Sequence, residues 1–170
     1  MLWVLVAASF SVPTKGFSCP GSAFPVHAST KVEAIASASC AVVRNEILSR
    51  VAKQGQGWHD PHNNGSYSVI DASREDILEL KRTTGWPGLF TDKLNFVLEA
   101  ENAVCVVRGC SESQVFSVSD MSTNYCNLRM LYCGKSDGCR PVVTDFTVTE
   151  RVVMPSIGAG TNKNACLVVA

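Results

Sequence analysis

Apolar residues first recur at helical spacing between Thr30 and Gln54. There Val32, Ile35, Val43, Ile47 and Val51, with the small Ser39 among them, fall on one stripe. Thr30-Lys-Val-Glu33 fits a capping box, and Gly55 and Gly57 supply a stop, so the pattern predicts an amphipathic helix. A second reading makes Val32 to Ala38 a strand and leaves a helix from about Cys40 to Lys53. Beyond residue 66 the period changes to two. Leu78, Leu80 and Arg82 alternate with Glu79 and Lys81, and Leu94, Phe96, Leu98 and Ala100 with Asn95, Val97 and Glu99. Leu128, Met130 and Tyr132, and then Val142, Thr144, Phe146 and Val148, repeat the alternation. The runs Val104 to Val107 and Val115 to Val118 predict further strand. Thr84 to Gly88, Arg108-Gly109 and Ser136-Asp137-Gly138 read as turns. The expected fold is α+β: one amphipathic helix packed on an antiparallel β-sheet of four or more strands, with no second long helix between residues 90 and 150.

The chain opens on an uncharged apolar stretch, Met1 to Val12, followed by Pro13 and Lys15. It is too short to span a membrane, which needs roughly 20 residues. Its length suits the apolar region of a signal peptide, although no Lys or Arg precedes it; the competing reading is a buried first strand. The expected organisation is a signal peptide over residues 1–16, one α+β domain over 17–154, and a loose, flexible C-terminal tail over 155–170.

Fifteen basic and fifteen acidic residues leave no net charge, which argues against nucleic acid as the partner. The eight cysteines are Cys19, Cys40, Cys105, Cys110, Cys126, Cys133, Cys139 and Cys166. An even number in a short chain behind a leader reads as a disulfide framework in a secreted protein. Five lie between 105 and 139, so at least two bridges are expected there. Cys105 with Cys110 and Cys126 with Cys139 are the trial pairs, which leaves Cys133 for a distant partner such as Cys40 and Cys166 for Cys19 or free. Asn64-Gly65-Ser66 is a glycosylation sequon, usable in a secretory lumen.

Three segments, Asp60 to Gly65, Gly109 to Asp120 and Thr123 to Gly134, resemble small secreted cysteine-rich proteins, a resemblance that covers roughly residues 17 to 150. It transfers no mechanism. The order of elements, a helix and then strands with disulfides crowded toward the C-terminus, is similar to that of cystatins, inhibitors of papain-like proteases. The cystatin motifs themselves are unmatched. Gln114-Val115-Phe116-Ser117-Val118 lacks the inner Val and the Gly of Gln-x-Val-x-Gly, and Trp86-Pro87 reverses the Pro-Trp pair. The analogy therefore bears on topology.

The densest chemistry is His59-Asp60-Pro61-His62. Two imidazoles and a carboxylate could hold a metal or exchange protons. Pro61 breaks regular helix, and further zinc ligands are wanting, so an exposed turn capped by Asp60 is the preferred reading. Such a loop would be replaceable without loss of fold. No cysteine is singled out as a nucleophile, and Gly134-Lys135-Ser136 lacks the upstream glycine of a phosphate loop, having Arg129 there. Trp58, Tyr67, Trp86 and Phe90 lie in or near loops and could form a binding edge. The candidate binding residues are thus Trp58, His59, Asp60, His62 and Trp86, with no catalytic residue, metal or cofactor assigned. The expected function is a secreted, non-enzymatic binding domain for a protein or glycan. The alternatives are a cystatin-like inhibitor, marked by loops aligned at one end of the sheet, and a small hydrolase using His59, Asp60, His62 and a cysteine, marked by a cleft beside His59.

Overall fold

The computed structural model describes residues 17–85 and 88–168, so the leader and Trp86 lie outside the described residues. Among the described residues, six strands and two α-helices are present. The strands are β1 (Ser29–Ala36), β2 (Ser66–Asp71), β3 (Ile77–Thr84), β4 (Phe90–Glu101), β5 (Val104–Ser113) and β6 (Val148–Pro155). The helices are α1 (Cys40–Ala52) and α2 (Thr123–Tyr132). The sheet is antiparallel in the order β2-β3-β4-β5-β1-β6. β2 to β5 form a meander, and β1 enters between β5 and β6.

Both helices pack on one face of this sheet. That face carries Val32, Ala34 and Ala36 of β1, Leu78 and Leu80 of β3, Leu94, Phe96 and Leu98 of β4, and Cys105 and Val107 of β5, all buried. Period-two alternation produces this directly, since every second side chain points the same way. α1 contributes Val43, Ile47 and Val51 at helical spacing. The second of the two readings for residues 30–54 is the correct one: β1 occupies 29–36, and α1 is capped by Ser39, whose side chain accepts from Val42 N, not by Thr30.

α2 corrects the expectation of a single helix. The alternation at Leu128, Met130 and Tyr132 predicts a strand, but the ten residues Thr123 to Tyr132 form a helix of which nine are buried. Because Asn124, Asn127 and Arg129 are buried beside the apolar residues, no solvent-facing polar stripe marks the helical period. The helix starts where Asp120 accepts the N–H groups of Ser122 and Asn124, each at 3.0 Å. Arg108-Gly109 is no turn. Gly109 lies within β5 opposite Phe96 and Val32, and a Cβ there would meet Phe96 and Leu128 at 3.0–3.1 Å. Glycine lets α2 approach the sheet. Val115 to Val118 is loop, and of the run Val142 to Val148 only Val148 is strand.

The disulfides are Cys19–Cys110, Cys40–Cys105, Cys126–Cys166 and Cys133–Cys139, which leaves no cysteine free. None of the trial pairs is formed, and only Cys133–Cys139 lies wholly within 105–139. Cys105 and Cys110 share a strand at odd separation, so their side chains leave opposite faces, roughly 16 Å apart along β5. A bridge needs Cα atoms within about 7 Å. Cys110 instead straps the N-terminal arm across the outer face, where Asn95 donates to Ser18 O and Glu112 accepts from Gly21 N. The C-terminal segment, expected as a loose tail, is fastened: Cys166 is fully buried against α2, and Gly160 N donates to Asp120 at 2.9 Å.

Candidate functional site

Residues 58–63 separate two concavities; of the predicted binding residues that are described, Trp58 and His59 line one concavity, and Asp60 and His62 face the interior. Asp60 turns inward. Its carboxylate accepts from His62 N at 2.9 Å, Tyr67 Oη at 2.9 Å and Arg82 Nε at 2.8 Å. Arg82 is the third inward residue of β3 after Leu78 and Leu80, so the alternation that builds the core also delivers a guanidinium into it. Arg82 also donates to His62 O and lies 5.5 Å from the centre of the Tyr67 ring. Gly65 packs directly over the guanidinium, where a Cβ would collide with it. Burial, then the Asp60 charge, push the Tyr67 hydroxyl well above the ordinary tyrosine range. Asp60 and His62 are therefore packed into the interior, so the loop is not the wholly exposed turn expected from its polar residues.

His62 is buried as well. Its Nδ1 lies 2.9 Å from Ala165 O, and its Nε2 lies 3.0 Å from Asn63 Nδ2 and 3.3 Å from Thr123 Oγ1. In the Nδ1–H tautomer the ring donates to the C-terminal segment and accepts from Asn63. His59 is exposed on the other side of the loop. The two imidazoles diverge. Among the described residues no group of three or more His, Cys, Asp or Glu side chains is placed to hold a metal. A hydrolytic trio of His59, Asp60 and a thiol is not assembled: Asp60 is engaged by Arg82, and every cysteine is in a disulfide.

Beside His59 is a pocket of about 250 Å³ lined by Trp58, His59, Pro61, Met130, Gly138, Cys139, Arg140 and Leu167. Trp58 is a buried wall of it, with 4% of its surface exposed. On the opposite side, Asn63 borders a larger groove of about 440 Å³. Its floor holds Asp92, Ser113 and Asp120, and its sides are Phe90, Val115, Phe116, Val118 and Met121.

This groove marks the end of the sheet where four separate loops meet. Gln114 N donates to Thr91 O at 2.8 Å, Ser117 N to Val26 O at 3.3 Å, and Gly160 N to Asp120. Around it the apolar side chains are turned to solvent: Leu89 is 65% exposed, Phe116 63%, Met121 79% and Ile157 fully. Scattered exposed apolar residues are normal, whereas a cluster around a cavity marks an interaction site.

The two floor carboxylates differ. Asp120 accepts from Ser122 N, Asn124 N, Asn124 Nδ2 and Gly160 N, and so ties α2 to the C-terminal segment. Asp92 follows the inward alternation of Leu94 and Phe96 and receives Asn127 Nδ2 at 2.8 Å. Burial raises its pKa above the ordinary aspartate value; Asn127, Ser113 and Arg82 oppose this, and the Asp120 charge adds to it. Behind it, Asn127 Oδ1 and Arg82 Nη1 are buried without a partner. The sequence pattern marked neither Asp92 nor the loop 114–122 as functional. A carboxylate at an inward strand position was the signal for the former. The exposed sequon residue Asn64 neighbours Asn63 at the groove edge.

No protein-family model matches the chain, and no curated protein matches its sequence.

Proposed function

We propose that this protein is a secreted, non-enzymatic binding domain that engages a partner protein through the loop end of its sheet. The observation that carries the reading is the clustering there of exposed apolar side chains from separate loops around one groove. Apolar and aromatic residues at the centre of a contact supply most of its energy, while the frame holding them stays rigid. Four disulfides, two of which fasten the N-terminal arm and the C-terminal segment that border this end, hold the loops in place before a partner arrives. They also suit an oxidising compartment, in keeping with the apolar leader. A glycan on exposed Asn64 fits the same location.

The test compares the oxidised protein with a Leu89→Ser/Phe116→Ser/Met121→Ser variant in pull-downs from the secreted fraction, read by quantitative mass spectrometry. These three side chains are exposed, so stability should change only by about 0.5 kcal/mol per site. The expected result is loss of the captured partner by about tenfold or more. Equal capture by both proteins would refute the reading, and partners released by free glycans would replace the protein partner with a sugar.

One observation favours a second reading. Gln114 to Val118 stands beside the start of β4 and residues 24–28 at this same end, an arrangement an inhibitory wedge could use. Titration against papain tests it: stoichiometric inhibition lost in the triple variant would establish the inhibitor, and undiminished papain activity would eliminate it.

A further inference from the structure

We infer that the pocket beside His59 binds a small organic anion, a carboxylate carried on an aromatic or apolar body. This site is separate from the loop end, and neither proposal depends on the other.

The walls of the pocket are apolar and fixed. Trp58 and Met130 are buried, Pro61 and Leu167 extend the surface, and Cys139 is held by its bridge to Cys133. Two cationic or hydrogen-bonding side chains, His59 and Arg140, complete the lining. Both are exposed, and neither makes a hydrogen bond or ion pair within the described residues. In contrast, the buried Arg50, Arg82 and Arg129 are all engaged by carboxylates.

Among the described residues no carboxylate lines the pocket to neutralise Arg140. Asp60, between the two lining residues His59 and Pro61, turns inward to Arg82. Asp137, next to the lining residue Gly138, is held by Arg129 at 2.7 Å and by the Gly134 N–H. The pocket therefore offers a planar cation over an apolar floor. A guanidinium fork matches a carboxylate in shape and charge, and an indole wall suits a flat apolar body. At about 250 Å³ the space lies below the range usual for drug-sized ligands and suits a fragment of benzoate size.

The experiment titrates the oxidised full chain with benzoate, benzyl alcohol and benzylammonium, following the Trp58 indole N–H and the His59 ring by NMR. Benzoate should give saturable shifts at both residues with a roughly millimolar dissociation constant. Arg140→Gln should weaken it by about tenfold, and His59→Gln by less, with the spectrum otherwise unchanged. Benzylammonium should produce no saturable shift. The inference fails if benzyl alcohol binds as well as benzoate, if Arg140→Gln leaves benzoate affinity unchanged, or if benzoate gives no saturable shift at Trp58.

Discussion

Glu46 on α1 and Asp92 on β4 are both buried carboxylates, yet their surroundings differ in one decisive respect. Glu46 accepts from Arg50 Nε at 2.8 Å and from the backbone N–H groups of Val142, Val143 and Thr144 at 2.7–2.9 Å. Burial alone would raise its pKa, but the Thr144 and Val142 N–H groups, Arg50 and the Val143 N–H hold it below the ordinary glutamate value. Arg50 in turn donates to Met130 O and Cys133 O, so the pair joins α1 to the end of α2 and to the loop 142–144. Glu150 is built alike, receiving Tyr125, Tyr132, Arg129 and Lys163. Asp92 has fewer donors, a raised pKa and a groove above it. A carboxylate surrounded by donors holds the fold together. One left short of them costs stability, and Asp92 is such a group at the floor of the candidate binding groove.

Removing the saturated acid should have the largest effect. Glu46→Gln would turn an amide N–H toward backbone donors and leave Arg50 unpaired, costing about 3–5 kcal/mol. The melting temperature should fall by roughly 2–4 °C for each kcal/mol. The pH dependence has a definite sign. Because the folded-state pKa of Glu46 is lowered, its stabilisation is full above the unfolded value and is lost as pH falls through the folded one. Urea unfolding across the acid range should show a shallower loss of stability in the variant than in the wild type. A parallel pair of curves would break the assignment.

Next in size is the fastening of the C-terminal segment. Replacing Cys126 and Cys166 by Ser opens a link across 40 residues and should cost about 2–4 kcal/mol. Limited proteolysis should then cut near Lys163, beside a segment that also positions His62 through Ala165. Opening Cys133–Cys139, which spans 6 residues, should cost less. The reverse order would show that local geometry, not chain closure, governs these bridges.

Asp92→Asn should have the smallest effect and the opposite sign. A raised folded-state pKa means that the cost of the ionised form is absent below the unfolded value and grows as pH rises through the folded one. The variant should therefore be more stable than the wild type at pH 7 and no different from it in acid. Chemical denaturation at the two pH values decides it, and destabilisation at pH 7 would place Asp92 with Glu46 among the structural acids.

Much of the sheet was legible from alternation alone. Leu78 to Arg82 and Leu94 to Ala100 are strands whose Leu78, Leu80, Arg82, Leu94, Phe96 and Leu98 point inward as expected, while Ala100 is exposed near the strand end. Leu128 to Tyr132 reads as a strand although it is helical, because both the polar and the apolar residues of α2 are buried, which erases the helical period; Asp120 and Ser122 ahead of it are the available start signal. Val142 to Thr144 alternates like a strand, but its N–H groups are taken by Glu46, almost a hundred residues away in the chain. The candidate site was half legible. Trp58 and His59 do line a pocket, whereas Asp60 and His62 are held in the interior by Arg82 and Ala165.

The sequence by itself determined the α+β class, the inward faces of β3 and β4 and a framework of paired cysteines. These depend on periodicity and residue type, which are local properties. Tertiary structure alone decided which cysteines meet, that Asp60 and His62 of a polar loop are buried, and that residues 24–28, 84, 90, 114–122 and 156–160 gather at one end. Each is a question of which distant partner a group finds, and short-range pattern carries no information about that. Cys110 could not reach Cys105 on its own strand, but it could reach Cys19 once the arm crossed the opposite face.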